Sequence, residues 1–294
     1  MKVLVTGREG QIVRSLKQKA AVRTDIELIV LGRPELDLEQ PDTVRRAVTS
    51  INPDIVISAA AYTAVDKAES ESEIAYRVNT IGAGAVAEAA AACGAPIIHW
   101  STDYVFAGDT ARPYSEADTP RPCNVYGQSK LDGERLVADA NGRYIILRTS
   151  SVYSPYGSNF VKTMLRLAET RNQISVVSDQ WVNPSSAIDL AEATLQLIGV
   201  FLTKKEFSDF GIFHLVGSDK TNWSGFAREI FAESKKIGGP SSEVVDITTS
   251  EYPTAAKRPA NSTLNSEKFE KVFGWRMPSW EISLRPVIKE LLKR

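Results

Sequence analysis

The chain has 294 residues, 43% of them hydrophobic and 24% charged, with a formal net charge of -1. Such a composition suits a globular protein with a full core, as one large domain or two unequal ones. The balanced charge offers nucleic acid and anionic membranes no electrostatic hold, and charge or glycine interrupts every apolar run well short of a bilayer span.

Taken in order, Met1 leads straight into Lys2–Val5, which reads as a buried strand and not as a signal peptide. Further strands are predicted over Glu27–Leu31, Ile55–Ser58, Ile97–Ser101 and Tyr144–Leu147, each a short run rich in Val and Ile. Helices are predicted between them over Gln11–Ala20, Pro41–Ser50, Ala75–Cys93 and Tyr126–Ala140, with Pro41 or Asp42 opening the second. Buried runs alternating with amphipathic helices imply an α/β fold, a Rossmann-type doubly wound parallel sheet covered on both faces.

After Leu147 the pattern loosens. A helix is expected over Asn159–Thr170, a strand over Ile174–Val177, a helix over Ser186–Val200 and a last sheet strand over Ile212–Val216. From Gly217 onward Ser, Pro and Trp become more frequent, and short helices and turns are expected. The reading is a dinucleotide-binding domain over residues 1–149 plus about 185–217, and a smaller substrate lobe over about 150–184 plus 218–294. Cys93 and Cys123 lack metal-ligand spacing and read as packing residues of a reduced, cytoplasmic protein. His99 and His214 read as structural strand histidines, and Trp223, Trp275 and Trp280 as aromatic core of the lobe. Asp66, Lys67 and Glu69 read as an exposed helix start, and Lys204-Lys205-Glu206 and Lys235-Lys236 as solvated faces.

The first strand runs through Thr6-Gly7-Arg8-Glu9-Gly10-Gln11-Ile12-Val13 into a helix. Backbone N–H groups at such a helix start favour a pyrophosphate; Gly7 permits the turn and Gly10 the close approach of the phosphates. Val13 stands where a third glycine is usual, which predicts a shifted helix. The second strand ends in Gly32-Arg33, with no carboxylate to repel a 2′-phosphate, so NADPH is expected, with NADH also usable. Asp37 and Leu38 are expected near the adenine, and Ala59-Ala60-Ala61 against the cofactor.

Of nine tyrosines, only Tyr126 is followed by a lysine four residues on, Lys130, which puts both on one helix face. An ammonium beside a phenol favours the phenolate, so the pair suits proton donation near neutral pH. Thr102, at the end of the fourth strand, is placed to polarise a substrate carbonyl. Lys130 is expected to lower the Tyr126 pKa and to hold the nicotinamide ribose.

With these residues the sequence resembles the extended short-chain dehydrogenases/reductases and, among them, the dTDP-4-dehydrorhamnose reductase family. The resemblance rests on Val5-Thr6-Gly7 with Gly10-Gln11, Ala59 through Glu69, Asn79, Ser101 through Phe106, Asn124-Val125-Tyr126-Gly127 with Ser129-Lys130, and Arg148-Thr149-Ser150. It continues through Asn159-Phe160 with Met164-Leu165, and Arg258 through Ser262 with Leu264, so it spans nearly the whole chain. It implies reduction of the C4 ketone of a dTDP-linked 6-deoxyhexose, in nucleotide-sugar and polysaccharide biosynthesis, with Thr102, Tyr126 and Lys130 catalytic. Asp103 and Tyr104 would meet the sugar, Arg258 the substrate diphosphate, and Asn79 would support the sheet edge. A homodimer is compatible with it, and no metal is predicted. Family members usually carry Trp where Ser151 stands, and the loop Asp179 through Pro184 also departs; Trp181 is the candidate replacement. The alternatives are an epimerase or reductase of another nucleotide-linked 4-keto-6-deoxy sugar, a dehydratase of the same fold, and a non-catalytic regulatory subunit.

Overall fold

A computed structural model of the chain describes residues 1–203 and 207–293; the run Lys204-Lys205-Glu206 lies outside the described residues. In chain order the first half forms β1 (Lys2–Thr6), α1 (Gln11–Ala20), β2 (Glu27–Leu31), α2 (Pro41–Ile51) and β3 (Ile55–Ser58). It continues with α3 (Val65–Ala68), α4 (Ser72–Tyr76), a π-helical turn (Arg77–Gly82), α5 (Ala83–Ala92), β4 (Ile97–Thr102), a 3-10 turn (Asp103–Val105), α6 (Val125–Ala140) and β5 (Tyr144–Thr149). The second half forms β6 (Val152–Tyr153), α7 (Phe160–Ala168), β7 (Gln173–Val177), β8 (Trp181–Val182), β9 (Ser185–Ser186), α8 (Ala187–Thr203) and β10 (Gly211–His214). It ends with β11 (Thr221–Asn222), α9 (Trp223–Lys236), β12 (Glu243–Ile247), α10 (Glu267–Phe273) and α11 (Trp280–Leu292).

Alternation inside the short apolar strands decides the layering. Val3 and Val5 of β1, Ile55 and Ile57 of β3, and Ile145 and Leu147 of β5 enter one core with α1, α8 and α10. Their neighbours Leu4, Val56 and Ile146 enter a second core with α2, α5 and α6. Each fully buried Val, Leu or Ile contributes about 1.5–3 kcal/mol, and strands buried on both faces have no polar side to show. The six strands pair in the order β10-β5-β4-β3-β1-β2, every pair parallel. The two strands that follow β1, β2 and β3, therefore lie on opposite sides of it, which opens a crevice at the carboxyl ends of β1 and β3.

A third core gathers Tyr153, α7, β7, α9 and α11 around Phe226, Ile230, Trp280 and Leu284. Three predicted elements differ. The expected helix over Ala75–Cys93 is interrupted by the π turn, where the buried Asn79 turns its side chain to the Tyr62 backbone and to Ser129. The region after Gly217 holds 14-residue α9 and 13-residue α11 beside the short α10. Phe269, Trp275 and Met277, inside the stretch expected to belong to the smaller lobe, pack on the sheet beside Phe213.

Candidate active site

β1 runs into Gly7, whose φ of +96° lies in the left-handed region and whose absent side chain leaves room for Ala60. The Thr6 hydroxyl accepts from the Ala59 and Ala60 N–H groups at 3.0 and 3.1 Å, fixing the small-residue end of β3 against the turn. Gly10 starts α1 with no side-chain cap and no acid in the first turn, so the N–H groups there are free to meet an anion. Val13 is fully buried, and its methyl lies 3.6 and 3.9 Å from where Cβ atoms would stand on Gly7 and Gly10. The cradle fits a dinucleotide pyrophosphate. Ile12 packs partly buried against the core below it.

Three expected cofactor residues have their side chains engaged within the protein. The Gln11 side chain donates to Val152 O at 3.3 Å and accepts from Ser154 and Asn159 at 2.8 and 2.9 Å, so only its backbone is available to a ligand. Leu38 is buried in the second core, where Gly82 packs against it. Asp37 caps its own turn, accepting from the Glu39 N–H at 3.0 Å. Arg33 stands at the end of β2, mostly exposed, 3.9 Å from Glu39. Sequence reading missed its companion Arg8, which lies over Gly32 and is paired with Glu35.

The catalytic candidates meet where β4 ends and α6 begins. Asn124 caps α6, accepting from the Gly127 N–H at 2.8 Å and donating to Lys257 O at 2.9 Å. Glu69 accepts from the Val125 N–H at 2.9 Å. A Cβ on Gly127 would stand 2.2 Å from Tyr104 O, so glycine lets the helix touch the β4 turn. The Tyr126 and Tyr104 rings consequently pack edge-on, with centroids 5.8 Å apart. The Thr102 hydroxyl accepts from the Tyr104 N–H at 3.2 Å and donates to Asp103 at 3.0 Å. It has one proton to share between Asp103 and whatever enters the crevice.

Asp103 is buried and also accepts from Ser150 at 2.7 Å. Burial pushes its pKa up to about 6, against hydrogen bonds from Ser262, Ser150 and Thr102. Burial pushes the Tyr126 phenol up too, the Thr102 contact opposing it and the Asp103 and Tyr104 charges adding to it. Lys130 is pulled down to about 8 by burial, against attraction to Glu134.

The expectation that Lys130 lowers the Tyr126 pKa is therefore overturned for this arrangement. The two residues share a helix face, but Lys130 Nζ reaches over the sheet edge, donating to Trp100 O at 2.6 Å and lying 3.3 Å from His99 Nε2. The helix spacing aligns Cβ atoms; the nearest buried acceptors choose where a four-carbon stem ends.

Asp66 and Glu69 are more than an exposed helix start. Asp66 accepts from Arg258 at 2.6 Å and from the Ala256 N–H at 3.1 Å, and Arg258 donates to the Tyr104 hydroxyl at 3.1 Å. A contact across 192 positions leaves no local periodic signal. Glu134 also went unread: it pairs with Arg148 at 2.6 and 2.9 Å and accepts from Ser101, all buried. Ser151, at φ +45°, follows Ser150. The Trp181 carbonyl accepts from Ser262 N–H at 2.9 Å, and Trp181 remains 42% exposed, with Lys220 over its ring.

Comparison with known proteins agrees over the whole chain. The family described as the RmlD substrate binding domain matches residues 1–293. A dTDP-4-dehydrorhamnose reductase of Sinorhizobium fredii is 49% identical over 292 residues, covering 99% of this chain and 98% of that protein. The crystal structure of a dTDP-4-dehydrorhamnose reductase from Clostridium acetobutylicum superposes with a TM-score of 0.92 at 37% identity, covering 100% of both chains. One from Bacillus anthracis, in complex with NADP, gives 0.90 at 37% identity, covering 98% of this chain and 99% of that one.

Proposed function

We infer the function from the premise that this chain belongs to the dTDP-4-dehydrorhamnose reductase family: it uses NADPH to reduce the C4 ketone of dTDP-4-dehydro-L-rhamnose, giving dTDP-L-rhamnose. The observation that carries the site assignment is the seating of the Tyr126 ring against Tyr104, whose N–H donates to Thr102 at the carboxyl end of β4, on the same sheet edge as the cradle of Gly7, Gly10 and Ala59-Ala60-Ala61.

In this reading the N–H groups at the start of α1, those of Gln11 and Ile12 among them, hold the pyrophosphate. Arg33 and Arg8 receive the 2′-phosphate, while Asp37 and Leu38 present backbone near the adenine. Bound there, NADPH supplies the hydride to the sugar C4. Thr102 turns its proton toward the carbonyl oxygen as charge develops on it, and Tyr126 delivers its own proton to that oxygen. Because burial holds the phenol protonated, Tyr126 is ready as a donor before the reaction begins. Lys130 has three N–H groups, two directed at Trp100 O and His99, leaving one for the cofactor ribose. Asp103 and Tyr104 face the sugar, with Trp181 closing the space that Ser151 leaves open. Arg258 meets the diphosphate with its charge already shared with Asp66.

We assign the sheet domain to residues 1–149 plus about 185–217 and the substrate lobe to about 150–184 plus 218–294, with residues 267–277 of the lobe seated on the sheet. Among the described residues no helix is long and apolar enough to cross a membrane. We place the enzyme in the cytoplasm, as a homodimer acting on small molecules only; light scattering on the purified protein tests the dimer.

The test of function follows NADPH and NADH absorbance with purified protein and enzymatically prepared dTDP-4-dehydro-L-rhamnose. Oxidation matched by dTDP-L-rhamnose is expected, faster with NADPH. Cofactor binding without oxidation would overturn the substrate assignment.

A further inference from the structure

His99 lies in the middle of β4 and was read from sequence as a strand histidine with no part in the site. It is fully buried, as are Ser58 and Lys130 on either side of it. Its Nδ1 is 3.1 Å from Ser58 Oγ, at the end of β3 just before the Ala59-Ala60-Ala61 wall. Its Nε2 is 3.3 Å from Lys130 Nζ. The ring thus joins the end of β3, at the cofactor crevice, to the lysine on α6.

An ammonium has donors only, so the nitrogen it faces must be bare; a neutral imidazole then carries its proton on Nδ1 and donates it to Ser58. Burial, with the Lys130 charge adding to it, pushes the His99 pKa well down, which keeps the ring neutral as this requires. The charged groups around Lys130 are few. Glu134, one turn along α6, attracts it but is itself held by Arg148 of β5 and by Ser101 of β4. The remaining fixed acceptor is Trp100 O, at 2.6 Å.

We propose that His99 is a positioning residue for the reductase: its bare Nε2 and the Trp100 carbonyl each take one N–H of Lys130, aiming the third at the cofactor ribose. The proposal rests on the reading of Lys130 as part of the catalytic set. It assigns His99 a directional task, orienting an ammonium that would otherwise swing about its long stem.

With two histidines in the chain, the ring nitrogens of both are readily assigned. A long-range 15N–1H spectrum of the wild-type protein, taken well below the Lys130 pKa of about 8, is expected to show His99 with Nδ1 protonated and Nε2 bare. A protonated Nε2 overturns the proposal, whether or not any variant folds. His99→Leu is expected to lower kcat about ten-fold, part of the roughly 10²–10⁴ supplied by a positioned proton-transfer set. It should also weaken NADPH binding, with little change in KM for the sugar nucleotide. His99→Gln, whose amide oxygen can stand near the Nε2 position, is expected to recover most of the loss. Wild-type kcat in His99→Leu, or a loss that His99→Gln does not recover, overturns the proposal. Lys130→Met separates the two levels. Its inactivity beside a fully active His99→Leu would leave the catalytic reading standing and remove His99 alone, whereas wild-type turnover in Lys130→Met would remove both.

Discussion

In the proposed role, Tyr126 gives up a proton from a place that makes its phenol hard to ionise, because burial penalises the phenolate more than Thr102 relieves it. Such a group is a reservoir at neutral pH, and it matters only to an oxygen basic enough to take the proton. Tyr126→Phe is therefore expected to cut kcat by about 10²–10⁴ while leaving NADPH affinity and the unfolding transition near wild type; unchanged turnover would remove the donor assignment. Asp103 is a second acid that burial pushes up, its folded pKa of about 6 lying above its ordinary value of 3.8. The folded protein then binds a proton more tightly than the unfolded chain, a stabilisation present below about pH 4 and lost as pH rises through about 6. Relative to Asp103→Asn, the wild-type protein should lose up to about 3 kcal/mol of unfolding free energy across that interval. Urea titrations of both proteins at a series of pH values measure it, and parallel curves would show the carboxyl to be indifferent to folding.

At the scale of elements, α6 is the part that must be placed, since it carries both Tyr126 and Lys130. Its first turn is fixed by the Asn124 cap, by Glu69 on the Val125 N–H, and by the closeness that Gly127 allows. Gly127→Ala would drive a methyl to within 2.2 Å of the Tyr104 carbonyl. The expected cost is about 1–3 kcal/mol, together with a large fall in kcat as Tyr126 moves off Thr102. Gly142→Ala is the control, because a Cβ there meets nothing within 4 Å. Equal thermal midpoints for the two variants would show that the contact is not tight. The helix itself was legible from its pattern; its exact seat was not, because a missing side chain is uninformative until the backbone it admits is known.

Across the whole molecule, ion pairs tie the elements of the site to one another. Glu134 and Arg148 tie α6 to β5 and, through Ser101, to β4, with both side chains 2% exposed. Removing one partner leaves a charge in a dry site, so Glu134→Ala should cost about 3–5 kcal/mol in urea unfolding; a loss under about 1 kcal/mol, the worth of a surface pair, would show that water reaches Arg148. Asp66 and Arg258 join the first quarter of the chain to its last and end on the Tyr104 hydroxyl. Gln11, Ser154 and Asn159 do the same between the phosphate turn and the start of α7. These ties bring residues of the second half of the chain to the crevice, and none of them repeats at a period that a sequence could display.

The amino-acid sequence by itself determined the parallel sheet, its strand and helix spacing, the glycine turn and the Thr102, Tyr126 and Lys130 set. Each of these is written in local terms: apolar alternation, turn chemistry, or a spacing along one helix or at one strand end. Only the tertiary structure decided where the long side chains end. It sent Lys130 to His99 and Trp100 O, turned the Gln11 side chain to Val152 O, buried Leu38 and paired Arg258 with Asp66. Buried charges and amides go to the nearest partner that satisfies them, and that partner is supplied by whichever strand or loop the fold brings alongside.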